Sequence, residues 1–276
     1  MHARLTTIVV AGVLFGASSA SAEPKIVGDR LNNTAYTLRG GEVSLGVMSE
    51  EVGVLNEITV GTYLAPWFAF PFLKAPIPTA FVKVRDWFFG PVTLSVRGAI
   101  VAFNADALSS ELTGHRPASS GLTVFPIDVT TSVRFSDRFT QSLGLNYTLV
   151  SAGLDAPSTT SIAGAADATT TSLTALSELR LTKVFALTLL ARVLVWRGAL
   201  HVKSDVTEPN LALHADIGTH GGLHKGLFCI VPGVSFHWKH VGLELGVGYG
   251  VNWIPFVELP IDSYTVVPQG DFFFRF

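Results

Sequence analysis

The chain has 276 residues and a formal net charge of −2; 48% of its residues are hydrophobic and only 14% are charged. Soluble proteins usually carry about 25% charged residues, so this composition is typical of a protein with a large apolar surface. The near-neutral balance argues against nucleic acid as a partner. The lone Cys229 excludes an internal disulfide and a thiolate metal cluster.

The first 22 residues have the three parts of a secretory signal peptide. Arg4 supplies the basic part, residues 5–17 form the apolar part, and Ala20-Ser21-Ala22 fits the small-residue cleavage rule. The apolar stretch is too short for a membrane helix, and no run of roughly 20 apolar residues follows it. We therefore expect cleavage after Ala22 and one exported domain over residues 23–276 of a Gram-negative protein.

The mature chain opens with short β-prone segments. We expect strands over 34–38, 42–47 and 55–64, with a turn at Gly40-Gly41 and a reversal near residue 51. Residues 65–78 contain four prolines and four aromatic residues, a composition that excludes a central strand. This stretch is therefore predicted to be a connection.

The longest alternation in the chain lies between Thr123 and Val150. Apolar residues take the odd positions of both halves and polar residues take most of the even ones, with Ser136-Asp137 between the halves. This period of two predicts a long hairpin with one apolar and one polar face.

The same alternation recurs in the other segments. Further strands are predicted over 80–88, 92–100, 173–181, 185–195, 228–238, 241–251 and the C-terminal stretch, with a bulge at Pro232-Gly233.

The connections between these segments alternate between short and long. Short ones fall near residues 51, 90, 137, 183 and 239, and longer ones at 65–78, 104–121, 151–169, 198–223 and 254–263. Outer-membrane barrels have short turns on one side and long loops on the other. We predict an all-β, antiparallel up-and-down transmembrane barrel of about 12 strands, with 10 or 14 as alternatives. Strand 34–38 makes the number even.

The C-terminal residues Phe272, Phe274 and Phe276 alternate in the ending FFFRF. This ending resembles the C-terminal signal of bacterial outer-membrane β-barrel proteins, which the barrel assembly machinery recognises. The resemblance implies location in the cell outer membrane, with outer-membrane lipid and that machinery as partners. It reaches no particular transporter or enzyme family.

The polar face of the predicted strands is expected to line the lumen. Its charged members are Glu42, Glu57, Lys83, Arg85, Arg97, Asp128, Arg134, Arg138, Glu178, Arg180, Arg192 and Glu244. Interlocking ion pairs that hold the barrel's shape are one interpretation. The excess of arginine leaves a second one open, a constriction that prefers anions.

Two other features invite a functional interpretation. Two distant connections are apolar, through Trp67, Phe70 and Phe72 in one and Trp253 and Phe256 in the other. A closed barrel brings them together across its seam, either as part of an aromatic girdle or as a docking point for an apolar molecule. Four histidines, His201, His214, His220 and His224, fall in the longest connection, but their spacing matches no zinc motif, and no metal or cofactor is expected.

The function that these patterns favour is a porin-like barrel that passes or binds a small solute, anionic or apolar. An enzyme at the outer rim, of the hydrolase or acyltransferase type, and a purely structural barrel are the alternatives. No G-x-S-x-G motif supports the enzyme.

Overall fold

The computed structural model describes residues 33–64, 78–89, 91–104, 119–156, 161–198, 201–208, 211–218, 222–223, 227–254 and 259–276. Within these ranges all regular structure is β-strand, and no helix is long and apolar enough to cross a membrane. The strands are β1 (Val43–Gly46), β2 (Ser49–Leu55), β3 (Ile58–Tyr63), β4 (Thr79–Phe89), β5 (Val92–Asn104), β6 (Ser119–Arg134), β7 (Phe139–Ala156), β8 (Ser161–Arg180), β9 (Phe185–Arg197), β10 (His201–Glu208), β11 (Leu211–Gly218), β12 (Gly222–Leu223), β13 (Phe228–His237), β14 (Val241–Ile254) and β15 (Leu259–Arg275).

Twelve of these strands form a closed antiparallel barrel, as the sequence predicted. Each strand pairs with the next, β9 pairs with β13, and β15 pairs with β1 to close the ring. At that seam the N–H groups of Val43 and Phe276 donate to each other's carbonyl oxygens at 3.0 and 2.9 Å. Closure pairs each of these twelve strands on both sides, which a wall in hydrocarbon requires.

The remaining three strands extend the wall within the connection between β9 and β13. Strands β10 and β11 form a hairpin that continues the sheet from β8, and β12 pairs with the end of β9.

The two edges of the barrel differ in the length of their connections. Turns of two to four residues at 56–57, 135–138, 181–184 and 238–240 lie at the edge that holds Phe276. The strand ends that the longer connections 64–78, 105–118 and 198–227 join lie at the opposite edge, as do those joined by the short connections 47–48, 157–160 and 255–258. By the rule for outer-membrane barrels, the edge with short turns is the periplasmic edge and the other is the outer edge.

The outward face of the wall is apolar over most of the ring. Leu145, Leu187 and Leu245 are among many large apolar side chains that remain 41–47% exposed. Such a continuous apolar surface on a closed barrel is the surface that meets lipid in outer-membrane barrel proteins.

The assignment of the twelfth strand was wrong. Residues 34–38 form no strand; all five are buried inside the barrel, and Ser49–Leu55 supplies the missing strand instead. The reversal expected near residue 51 is replaced by turns at 47–48 and 56–57. The tight turn at Gly40-Gly41 is present.

Several predicted loops are strands that extend past the apolar belt. Most of 151–169 belongs to β7 and β8, which have 18 and 20 residues. These extensions are rich in Ala, Ser and Thr, so no apolar alternation marks them as strands. The bulge expected at Pro232-Gly233 is also wrong, since β13 keeps one register with β9 and β14 through this point.

Candidate functional site

The plug segment, Thr34–Leu38, occupies the periplasmic half of the lumen. The N–H group of Leu38 donates to Thr59 Oγ1 on β3 at 2.8 Å, and the N–H group of Ala35 donates to Ser132 Oγ on β6 at 2.7 Å. These two bonds tie the segment to two parts of the wall that are three strands apart. They supply side-chain partners for two of its buried backbone N–H groups, as backbone inside a lumen requires.

The chain enters the lumen at a tight turn packed against β2. The N–H group of Gly41 donates to the carbonyl oxygen of Gly53 at 2.7 Å, and Gly41 has a φ of +84°, which favours glycine. A Cβ atom at Gly53 would overlap the carbonyl oxygen of Arg39. Glycine at position 53 is therefore a condition for the plug segment to dock.

A row of polar side chains crosses the lumen wall on the outer side of the plug segment. Its members are direct cross-strand partners on five successive strands: Thr59, Lys83, Arg97, Asp128 and Asn146. The strand period of two points all of them inward.

Asp128 is the acceptor at the centre of this row. Arg97 donates to Asp128 Oδ2 from Nε at 2.6 Å and from Nη2 at 2.5 Å, and Asn146 Nδ2 donates to the other carboxylate oxygen. Thr148 Oγ1 in turn donates to Asn146 Oδ1 at 3.0 Å. Both carboxylate oxygens of Asp128 are thus bound, and one cation already balances its charge.

A cavity of about 30 Å³ lies beside this row. The basic side chains of Lys83, Arg97 and Arg192 line it, together with the carboxylate of Asp128. Gly144 leaves space at its wall, since a Cβ there would already be 3.4 Å from Thr130 Oγ1. The cavity is therefore bordered mainly by polar and basic side chains and has room for a small polar group.

Carboxylates gather on the opposite part of the wall. A second cavity of about 10 Å³, against β1, β2, β14 and β15, has Glu51, Glu244 and Asp271 as its charged lining. Carboxylates thus border this cavity, whereas basic side chains of β4, β5 and β9 border the first one.

An apolar cluster lies in the lumen next to the polar row, toward the outer edge. Tyr63, Phe81, Val101 and Val124 are buried there, with Ala99, Leu122 and Val150 packed against them. The rings of Tyr63 and Phe81 are 5.0 Å apart. The guanidinium carbon of Arg97 lies 6.0 Å from the Tyr63 ring centroid, so Arg97 borders both the cluster and the first cavity.

The other predicted lumen residues fall into two groups. Arg85, Glu178 and Glu244 are buried inside the barrel, where Glu178 pairs with Arg180 at 2.8 Å. Those near the periplasmic edge are more open: Glu42 is half-buried and lies 3.6 Å from Arg275, Arg134 reaches Asp137 at 3.4 Å, and Glu57 and Arg138 are exposed in turns.

The sequence analysis did not predict the apolar cluster, although the alternation along β4 and β6 points its residues inward. Phe81 shares its inward parity with Lys83, and Val124 shares its parity with Asp128. Continuing the alternation of inward and outward side chains from Lys83 and Asp128 toward the outer edge would have placed Phe81 and Val124 inside the barrel. The sequence analysis followed only the polar residues on the inward face and so assigned neither residue.

The remaining candidate residues are only partly described. Trp67, Phe70, Phe72, Phe256, His220 and His224 lie outside the described residues, and Trp253, His201 and His214 are described as backbone on β14, β10 and β11. In the described part of the chain, no three His, Cys, Asp or Glu side chains are grouped as metal ligands. Phe272, Phe274 and Phe276 face outward in a row of ring contacts at the seam.

No protein-family model and no characterised protein sequence matches this chain. Among solved structures, it is similar to a TodX deltaS2S3 mutant monoaromatic hydrocarbon channel, with TM-score 0.47, 13% identity and coverage of 87% of this chain and 68% of that one. The P. putida toluene transporter TodX gives 0.45 and 12%, covering 84% and 66%.

In-vitro folded OmpT, an outer membrane protein of Vibrio cholerae, gives a TM-score of 0.33 and 15% identity, covering 83% of this chain and 62% of that one. The chain spans about two thirds of the length of these structures. The likeness concerns the β-barrel fold alone.

Proposed function

We propose that this outer-membrane barrel binds a small solute with an apolar body in its lumen and passes it across the membrane. The observation that carries the proposal is the apolar cluster around Tyr63, Phe81, Val101 and Val124. The interior of a water-filled barrel is polar, because its wall is wet. Binding sites for small molecules are mostly apolar and equipped with a few polar groups, and here the apolar cluster adjoins the guanidinium group of Arg97.

The plug segment supports a selective passage rather than an open aqueous pore. It is bonded to Thr59, at one end of the polar row, and to Ser132. A solute that moves inward from the apolar cluster therefore meets this buried segment, which narrows the passage.

Delivery to the membrane belongs to the same proposal. We propose that a signal peptide over residues 1–22 directs export and that the barrel assembly machinery recognises Phe272, Phe274 and Phe276. The outward position of these three rings leaves them accessible during assembly.

Binding of the apolar fluorophore N-phenyl-1-naphthylamine to the refolded protein in lipid nanodiscs tests the proposal. Phe81→Ser should weaken binding about 10-fold or more, since burying a Phe side chain is worth about 1.5–3 kcal/mol. Phe125→Ser is the matched control, because Phe125 lies on the lipid face one residue from Val124.

Empty nanodiscs give the partition blank for this measurement. Equal binding by the wild type and Phe81→Ser, or rapid swelling of liposomes in sugars through the wild-type barrel, would contradict the proposal.

A further inference from the structure

We propose that two copies of this chain join edge to edge through β11, in an antiparallel pair centred on Ala215, so that one continuous sheet bridges two barrels at their outer edges. The proposal concerns a strand outside the twelve of the barrel ring. It is therefore independent of what the lumen binds or passes.

Strand β11 is the last strand of the extension that continues the wall beyond β8. Among the described residues it pairs with β10 along its whole length and with no other strand. Strand β10 in turn pairs with residues 161–167 of β8, beyond the part of β8 that pairs with β9. The free edge of β11 therefore lies on the outer side of the barrel, where a second barrel in the same membrane can reach it.

The sequence of β11 lacks the devices that usually protect an edge strand. Natural proteins place lysine, proline or a bulge in such strands to prevent pairing. The eight residues of β11, LALHADIG, include no lysine, arginine or proline, and their register with β10 has no shift. A regular, unprotected edge of this kind is a template for another strand.

The order of residues in β11 selects one symmetric register. Two identical antiparallel strands related by a two-fold axis place one residue opposite its own copy. Centring on Asp216 opposes two carboxylates, which destabilises a cross-strand pair, and centring on His214 opposes two histidines. Centring on Ala215 instead places His214 opposite the partner's Asp216, and Asp216 opposite the partner's His214. This register pairs a basic with an acidic residue twice.

The same register extends a pattern that each hairpin already contains. Within one chain Lys203 lies opposite Asp216, and Asp205 lies opposite His214. Across the joined sheet the order becomes Lys203, Asp216, the partner's His214 and the partner's Asp205, and the two-fold axis generates a second such row. Lysine and histidine donate hydrogen bonds and carboxylates accept them, so donors and acceptors alternate over four strands. Such cross-strand pairs stabilise a sheet.

The other face of the sheet is matched in this register as well. Residues at alternate positions share a face, and within one chain Val202 lies opposite Ile217 and Val206 lies opposite Leu213. Centring on Ala215 places Ile217 opposite the partner's Leu213. An apolar row thus continues from one hairpin into the next, and both faces of β11 favour a second copy of the same strand as its partner.

Disulfide trapping at the two-fold axis tests the register. Directly opposed residues of antiparallel strands have Cα atoms about 4.5–5.5 Å apart, which suits a disulfide. Ala215→Cys should therefore crosslink the full chain into a dimer when the protein, refolded in lipid vesicles, is oxidised. The native Cys229 is buried, and the wild type measures the background.

Ala212→Cys is the matched control on the same strand. In this register it lies opposite the partner's Gly218, and its own copy is six residues, or about 20 Å, further along. Ala215→Cys should crosslink at least about 10-fold faster, because its two thiols are held together before they react.

A mixed experiment checks the register a second time. Leu213→Cys and Ile217→Cys chains should crosslink when they are refolded together, since these positions face each other across the interface, and neither should crosslink alone. Heat-modifiable migration on a gel shows that each variant is a folded barrel. Sedimentation of the wild type in detergent, corrected for bound detergent, should give twice the mass of one chain.

Three outcomes would contradict the proposal. Equal crosslinking rates for Ala215→Cys and Ala212→Cys would show random collision instead of a paired edge. A wild type that sediments as a monomer would overturn the dimer. Crosslinking that is fastest for His214→Cys would overturn the register centred on Ala215.

Discussion

The barrel wall is tall on one side and short on the other. Strands β6, β7 and β8 have 16, 18 and 20 residues, whereas β1, β2 and β3 have 4, 7 and 6. A four-residue strand reaches roughly 13 Å, about half of the 25 Å apolar band that a barrel of this class presents to lipid.

The two sides are therefore stabilised by different contacts. The tall side has long ladders and a continuous lipid face, as in the pairing of β7 with β8 over its whole length. The short side packs against the plug segment, through Gly53 against the Arg39 carbonyl group and Thr59 against the Leu38 N–H group. The comparison indicates that the short strands depend on the chain inside the lumen, and that the tall strands depend on the lipid outside it.

The largest effect is expected for a charge on the tall side. Leu145 is 46% exposed on the lipid face, six residues from the start of β7 and so near the middle of the apolar band. Leu145→Arg should lower the free energy of unfolding by about 2–4 kcal/mol, measured by urea titration of the protein refolded into vesicles.

Leu179→Arg is the matched control for depth. Leu179 is on the same face but pairs with Phe139 at the periplasmic edge, where the same charge costs about 0–1 kcal/mol. If both substitutions lower the free energy of unfolding equally, Leu145 does not lie deeper in the bilayer than Leu179, and the apolar belt is misplaced.

A somewhat smaller loss is expected on the short side, with a functional consequence. Gly53→Val puts a side chain onto the Arg39 carbonyl group, and overpacking of this kind costs about 1–3 kcal/mol. Because the strain falls on the docking of the plug segment, single-channel recording should also show an increased leak. Gly98→Val is the control, since a Cβ at Gly98 meets no heavy atom within 4 Å. If the Gly53→Val barrel is as stable as the wild type and shows no increased leak, the short side does not need the plug segment.

The tall side was predictable from the sequence, and the short side was not. On β6 and β7 one face is in lipid and the other is wet, so Leu145 and Asn146 alternate as the period of two requires. The short strands do not show this alternation of apolar and polar residues. In β2, Glu50 is exposed, Gly53 is buried against the Arg39 carbonyl group, and the outward face is not apolar over its whole length. Thr34–Leu38 has the composition of a strand. In the structure it pairs with no strand, and all five of its residues are buried inside the barrel.

The candidate site shows the same division. The inward positions of Lys83, Arg97 and Asp128 followed from parity alone, because charged residues cannot face lipid. The grouping of Lys83, Arg97 and Arg192 around one cavity did not, since Arg192 lies far away in sequence and reaches the cavity only through the register of β8 with β9. The apolar cluster was hidden because an inward Val is indistinguishable from an outward one in composition.

The smallest expected effect concerns the bond that joins the plug segment to the tall side. Ser132 Oγ accepts from the Ala35 N–H group at 2.7 Å and lies 2.7 Å from Ser142 Oγ, with both serines buried. Ser132→Ala leaves the Ala35 N–H group without this acceptor, and the free energy of unfolding should fall by about 1 kcal/mol. Urea titration measures the loss, and faster hydrogen exchange of the Ala35 amide locates it.

The control for this change is Thr93→Val. Thr93 is buried to the same degree on the neighbouring β5, but within the described residues its hydroxyl has no hydrogen-bond partner, so its removal should be nearly neutral. Exchange that quickens at Ala35 in Ser132→Ala and not in Thr93→Val would show that the plug segment is held from both sides of the barrel. Unchanged exchange in both variants would leave the short side as its sole anchor, and the tall wall would then be free to move relative to the plug segment when a solute enters the cavity.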